Sequence, residues 1–309
     1  MRMEKVGFIL HGKIRRKKTL KESLIARFSN EYVVVFYETL RPRHAAELTR
    51  QALQEKCDFI IAVGGDGTLN EMVNGYIQAG GCEQFTSCLG VLPSGTGNDF
   101  ARGIGIEKRI DQLAGLIKNN QPRMLDAGAV AVHLPDGSQE VRYFDNIADM
   151  GFGAEVVARV NGVHIRKVLL GGSLTFILAV LRTFITFRHK NVRISWEGFE
   201  WEGRVLCLVV ANGRYFGSGV GIAPEAVVDD GMFDIVLLAD LSIIDYIRYF
   251  IKLRRCEKID HPEASYYRAR QVTVESQGAP VIIEADGEIE GYTPVTFSCL
   301  PGVLRFLAP

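Results

Sequence analysis

Residues 64–71 read Gly-Gly-Asp-Gly-Thr-Leu-Asn-Glu, between the apolar run Phe59-Ile60-Ile61-Ala62-Val63 and a helical pattern of Leu69, Met72, Val73 and Tyr76. The run has the length and continuity of a buried strand. A strand that leaves through glycines into a helix turns backbone N–H groups toward open space. With the positive end of the helix dipole they form a site for phosphate. Asp66 is the unusual member, because a carboxylate beside phosphate oxygens is repelled unless a cation lies between them. The residues therefore point to phosphate, metal and a carboxylate that organises both. The plainer alternative is a strand-to-helix turn with an exposed aspartate, since short glycine motifs recur by accident.

A second segment of the same kind weakens that alternative. Leu89-Gly90-Val91-Leu92 reads as another strand, followed by Pro93-Ser94-Gly95-Thr96-Gly97-Asn98-Asp99-Phe100-Ala101-Arg102. Parallel sheets gather such loops at the carboxyl ends of their strands, where ligands bind. Thr68, Thr96, Asp66 and Asp99 would then face one crevice.

The elements that must hold these loops fall into two regions. From 5 to about 118 strands alternate with helices: a strand at 6–10, a basic helical stretch, a strand at 32–37, a helix at 43–56 and the two loop strands. That rhythm is βαβ and implies a parallel sheet. After 121, Pro135-Asp136-Gly137 and Glu197-Gly198 read as hairpin turns, and 204–210, 233–238, 267–275 and 281–284 read as strands. An antiparallel sandwich fits that texture. The predicted fold is an α/β N-terminal domain with a parallel sheet, residues 1–122, and a mainly antiparallel β-sandwich C-terminal domain, residues 123–294.

GGDGTLNEMVNG together with PSGTGNDFAR resembles the bacterial diacylglycerol-kinase-type lipid kinases, relatives of sphingosine and ceramide kinases and, more distantly, of NAD kinases. NIADMGFGAEV from Asn146, Ala211-Asn212-Gly213, Tyr215-Phe216-Gly217, Ala223-Pro224, Asp229-Asp230-Gly231-Met232-Phe233-Asp234 and Glu284-Ala285-Asp286-Gly287-Glu288 follow in family order. The first motif alone also occurs in NAD kinases and, with Ser for Thr, in phosphofructokinases. Asn70-Glu71 and the full second loop favour the lipid-kinase branch.

The resemblance implies an ATP- and magnesium-dependent kinase of diacylglycerol or a similar lipid, with residues 295–309 returning to the first domain. It assigns nucleotide contacts to His11, Gly12, Thr39, Gly64, Gly65, Asp66, Gly67, Thr68, Asn70, Glu71, Ser94, Gly95 and Thr96. Asp66, Asp99 and Asp126 would hold catalytic magnesium through water, since magnesium dehydrates reluctantly. Glu288 would take the proton of the lipid hydroxyl, supported by Asp286. Read from the residues alone, Asp286-Gly287 is a hairpin turn. A structural magnesium is implied at Asp230 with the carbonyls of Val227 and Met232, against the alternative of a turn cap. The family usually has Asn-Pro after its first strand where this chain has His11-Gly12-Lys13, which leaves nucleotide contact there to the backbone or to His11.

Composition is compatible with such an enzyme without specifying it. The 309 residues suggest two domains, and 36 basic against 36 acidic residues give no net field toward nucleic acid or anionic membrane. Any membrane attraction must then be local. The expected partners are a lipid substrate, a transient peripheral membrane contact and a second copy of the chain. Six scattered cysteines suggest reduced thiols in a cytoplasm, and the start of the chain shows no signal-peptide layout. The apolar stretch 168–187 is long enough to span a bilayer but is interrupted by Arg182, so a buried or interfacial helix is the reading. Arg15-Arg16-Lys17-Lys18 with Lys21, and Arg166-Lys167, are either solvated or drawn to anionic lipid. A kinase of a soluble acceptor such as NAD, and a non-catalytic nucleotide or lipid sensor, are the competing readings.

Overall fold

The computed structural model describes residues 2–133, 138–161, 180, 182, 183 and 185–309. Most of the 168–187 stretch, Arg166-Lys167 and the hairpin expected at 135–137 lie outside the described residues. Among those residues no helix is long and apolar enough to cross a membrane.

The first region runs β1 (Lys5–Leu10), α1 (Lys17–Phe28), β2 (Val33–Glu38), α2 (His44–Gln54), β3 (Phe59–Gly64), α3 (Asp66–Gln78), α4 (Gly81–Gln84), β4 (Cys88–Pro93), α5 (Asp99–Gly103) and α6 (Ile110–Asn119). The strands pair in parallel in the order β2-β1-β3-β4. β3 and β4 are buried along their whole length because helices cover both faces, which is why they read as unbroken apolar runs. Leu24 and Phe28 of α1 and Leu113 and Ile117 of α6 pack on one face; Leu48 and Ala52 of α2 and Leu69, Met72 and Tyr76 of α3 pack on the other. Gly75 is required rather than merely tolerated in α3, since a side chain there would collide with the backbone of Ala46 in α2.

The second region adds β5 (Arg123–His133), β6 (Gln139–Phe144), β7 (Ile147–Gly151), α7 (Phe152–Asn161), β8 (Lys190–Trp196), β9 (Phe199–Val205), β10 (Cys207–Ala211), β11 (Tyr215–Phe216), β12 (Val220–Gly221), β13 (Phe233–Leu238), α8 (Ile243–Arg254), β14 (Ala264–Ala269), β15 (Gln271–Ser276), β16 (Ile282–Ala285), β17 (Glu288–Tyr292) and β18 (Val295–Phe306). One antiparallel sheet is ordered β14-β13-β10-β7-β16-β17. Its partner is continuous with the parallel sheet: β18 pairs with β5 and β15 antiparallel, and meets β4 in parallel at Phe306 and Leu89. The fold is thus an α/β unit with parallel strands followed by an antiparallel two-sheet unit.

Two expected strands prove to be crossings between sheets. The stretch 267–275 divides at Arg270 into β14 in one sheet and β15 in the other, and 204–210 divides at Leu206 between β9 and β10. Leu206 itself is buried and its N–H reaches the carbonyls of Leu238 and Ala239, so the crossing stays apolar and no break shows in the pattern. The Glu197-Gly198 turn joins β8 to β9 as expected, with Gly198 at φ 79°.

Candidate active site

The two glycine loops lie backbone to backbone. Ser94 and Gly95 N–H groups both donate to the Gly64 carbonyl, at 2.6 and 3.2 Å, and a side chain on Gly95 would strike the Cα of Gly65. Gly64 in turn packs on the Thr68 side chain, so no Cβ fits there either. Asn98, in the left-handed region at φ 52°, closes the second loop by accepting from the Gly95 N–H at 3.0 Å and donating to its carbonyl at 2.9 Å. Neither motif could be spaced differently without separating the loops.

Asp66 opens α3 and Asp99 opens α5. Both carboxylates turn toward Gly97, where a Cβ would sit 2.9 Å from Asp66 Oδ2 and 3.3 Å from Asp99 Oδ2. Asp66 Oδ1 accepts weakly from the Phe100 N–H at 3.4 Å, and Asp99 Oδ2 accepts from the Ser218 N–H at 2.7 Å. Asp99 is buried, and its Oδ1 makes no hydrogen bond among the described residues, with the Arg102 guanidinium 3.8 Å away. Burial first, then the Asp66 charge, pushes the Asp99 carboxyl above the usual carboxylate range. An orphaned buried oxygen beside a second carboxylate is a donor set that suits a hard divalent cation.

These loops form one wall of a cleft of about 1160 Å³ whose lining includes Gly64, Gly65, Gly67, Thr68, Ser94, Gly95, His11, Gly12, Thr39 and Glu288. Gly12 is pressed against the Thr39 carbonyl, and its N–H donates to Thr39 Oγ1 at 2.9 Å. The His11 ring turns back to accept from the Lys13 N–H at 3.3 Å, so it serves its own loop. Lys13, Arg15, Arg16, Arg41 and Lys108 also line the cleft and supply positive charge for an anionic ligand.

Glu288 begins β17, and Asp286-Gly287 are the two central residues of the β16–β17 hairpin, at φ 48° and 88°. Two positive φ angles are what a type I′ turn needs. The turn is anchored by its aspartate: Asp286 Oδ1 accepts from the Ile147 N–H at 2.9 Å, while Oδ2 accepts from the Asp145 N–H at 2.9 Å and from Asn70 Nδ2 at 2.8 Å. The turn is therefore tied to α3, and the exposed Glu288 two residues on is held at the cleft.

Comparison with known proteins agrees with this geometry. Residues 5–130 match the diacylglycerol kinase catalytic domain, and residues 146–308 match the YegS C-terminal NAD kinase beta sandwich-like domain. A Pseudomonas aeruginosa relative named "Probable lipid kinase YegS-like" is 31% identical over 312 residues, covering 100% of this chain and 96% of its own. The chain belongs to the diacylglycerol-kinase-type lipid kinase family. The Bacillus subtilis relative named "Diacylglycerol kinase" is 31% identical over 254 residues, 82% of this chain and 78% of its own. A Bacillus anthracis structure described as a diacylglycerol kinase shares the fold at TM-score 0.71 and 19% identity, covering 100% of this chain and 98% of that one. The yeast NADH kinase shares it more distantly, at TM-score 0.55 and 10% identity over 100% of this chain and 84% of that one.

As a member of a kinase family the chain is an enzyme, and its structure gives several of the expected site residues additional partners. Asn70 does not face the phosphate loop with its amide, which donates to Asp286 and, at 3.0 Å, to the Tyr143 carbonyl. Glu71 lines the cleft and also caps α2, accepting from the N–H groups of Arg43 and Ala45 at 2.8 Å each; α2 has no side-chain cap of its own. Thr96 is exposed at the loop apex, whereas Ser94 and Gly95 line the cleft.

Asp126 makes no direct hydrogen bond to Asp66 or Asp99 among the described residues. Its oxygens accept from the Gly302 and Gly231 N–H groups, both at 2.7 Å, and the carboxylates nearest it in charge are Asp230 and Asp229. Among the described residues no three carboxylate, His or Cys side chains form a metal-ligand group. Asp230 pairs with the Arg268 guanidinium, and its Oδ1 accepts from the Met232 N–H at 3.0 Å as a turn cap does.

Three buried carboxyls carry no motif of their own: Asp145, Asp149 and Glu284. Burial, then the Asp286 charge, pushes the Asp145 carboxyl well above the usual range. The available signal was an acid inside an apolar strand, as in Ile147-Ala148-Asp149-Met150 and Ile282-Ile283-Glu284-Ala285.

Proposed function

We propose that this protein transfers the γ-phosphoryl group of ATP, with magnesium, to a hydroxyl of diacylglycerol or a similar lipid. The observation that carries the reading is Glu288 on the lining of the same cleft as the glycine loops and Thr68. Phosphoryl transfer needs positioned phosphates, neutralised charge and an acceptor for the hydroxyl proton. Backbone N–H groups at the start of α3 and the cationic rim would bind the triphosphate. Asp66 and Asp99 would hold magnesium, whose charge offsets that of the phosphate oxygens. Glu288 takes the proton as the lipid oxygen forms its bond to γ-phosphorus, the bridging P–O bond breaks and ADP leaves. Asp286 and Asn70 hold the turn that aims Glu288.

The test incubates purified protein with magnesium and γ-labelled ATP against a total bacterial lipid extract. Label is expected in the organic phase, and Glu288→Gln is expected to reduce it at least roughly a hundredfold with the fold intact. Label that appears only in the aqueous phase, on NAD for example, would overturn the lipid assignment.

A further inference from the structure

Helix α8 presents an unusual outer face. Ile244, Ile247 and Ile251 are 64%, 54% and 65% exposed, and Phe250 beside them is 46% exposed. Spacings of three and four place the isoleucines in one stripe along the helix. Arg248 and Arg255 flank the stripe, both exposed; Arg248 pairs with Asp245 at 3.0 Å, and Arg255 makes no ion pair among the described residues. The opposite side is anchored: Leu253 is fully buried in the core beneath, and Tyr249 Oη donates to the Asp260 carbonyl at 2.5 Å. The helix is therefore fixed with its apolar stripe outward.

We infer that this face of α8 seats on an anionic phospholipid bilayer. The inference rests on the lipid kinase reading above and names the surface through which the enzyme reaches its substrate. Apolar side chains flanked by arginines suit the boundary between headgroups and acyl chains, where the stripe enters and the guanidiniums meet phosphate. Charge decides against self-association. A second copy on the same face would bring Arg255 of both chains together, with Arg248 already shared with Asp245, whereas an anionic bilayer offers the opposite sign. The chain has no net charge, so this attraction is local. The other basic cluster, at the start of α1, is partly neutralised, because Lys17 and Lys21 both pair with Glu38.

The face is also connected to the cleft. Arg254, at the end of α8, donates through Nη1 to the Ser218 carbonyl at 2.6 Å, and the Ser218 N–H donates to Asp99 at 2.7 Å. Gly217, Ser218 and Gly219 all have positive φ, at 55°, 68° and 95°, so this link is a tight turn rather than a loose loop. A helix settled on lipid would hold the turn that holds Asp99.

The test is flotation of the full chain with phosphatidylcholine vesicles, with and without phosphatidylglycerol. The wild type is expected to bind the anionic vesicles at least about tenfold more, with loss at high salt. Ile247→Glu/Ile251→Glu is expected to lose at least about tenfold in vesicle binding, and Arg248→Gln/Arg255→Gln to lose the preference for anionic lipid. Both should retain activity on a short-chain diacylglycerol dispersed in detergent. Ile247→Ser/Ile251→Ser serves if the glutamates unfold the chain. Unchanged vesicle binding in all variants would overturn the inference, as would a wild-type dimer in sedimentation that the isoleucine substitutions dissociate. A wild type that binds vesicles yet phosphorylates no lipid would sink the kinase reading and leave the docking surface standing.

Discussion

Asp66 and Asp99 hang from loops at the carboxyl ends of parallel strands, whereas Asp126 and Asp230 sit where β5 and the loop before β13 pack together. All four are aspartates beside glycines in family motifs, yet their surroundings differ. The first pair shares its hydrogen bonds sparingly, and one Asp99 oxygen makes no hydrogen bond among the described residues. The second pair is fully engaged, Asp126 by two backbone N–H groups and Asp230 by Arg268 and Met232. A carboxylate with spare acceptor capacity in a cleft can meet a ligand; one whose oxygens already hold two loops together is part of the frame.

The widest separation between the pairs should come from Asp66→Asn, which keeps size and removes the charge. Turnover is expected to fall about a thousandfold, or about 4 kcal/mol of transition-state stabilisation, with little change in melting temperature. If turnover and stability fall together, the distinction is broken. Asp126→Ala should do the reverse, costing about 3 kcal/mol of stability because two backbone donors lose a charged acceptor. Urea unfolding would measure it, and unchanged stability with lost turnover would return Asp126 to the catalytic set.

Asn70→Ala tests the link between the regions. Losing one hydrogen bond to Asp286 should lower kcat about tenfold, with KM for ATP nearly unchanged. A selective rise in KM would restore Asn70 to the nucleotide. The smallest effect is expected at Asp149, buried with Glu284 and the Cys207 thiol facing it from the neighbouring strands and the start of α7 over it. Burial pushes its carboxyl up to about 7, with the Ala154 N–H opposing. A raised folded value means stability that is present in full below the unfolded value and lost as pH rises through about 7. Asp149→Asn should therefore gain about 1 kcal/mol at pH 8 and lose that advantage toward pH 5 in thermal melts. A constant difference across that range would show that charge is not the cause.

The same contrast explains what the sequence disclosed. The glycine loops were legible because their chemistry is local: each strand, turn and helix start is contiguous in the chain. The βαβ rhythm was legible because strands covered on both faces read as unbroken apolar runs. The family motif carries Asn70 and Glu71 together with Thr68, but a helix sends successive side chains in different directions, so that Asn70 also reaches Asp286 and Glu71 also reaches α2. Asp286-Gly287 read as a turn, and the structure has that turn, but its ties to Asn70, Asp145 and Ile147 join residues too far apart in the chain to be read from it. The sheet crossings at Leu206 and Arg270 were invisible because a buried corner keeps the alternation of a continuing strand.

β18 follows every other strand in the chain, yet it stands in the middle of the shared sheet, between β4 on one side and β5 and β15 on the other. During synthesis the glycine-loop strands emerge first and must wait, with the β4 edge unpaired, until the final strand arrives. An unpaired strand edge invites pairing with another chain. Assembly of the cleft is consequently a late event, and removing residues 295–306 would leave the first region without its closing strand even though every loop that lines the cleft had been made.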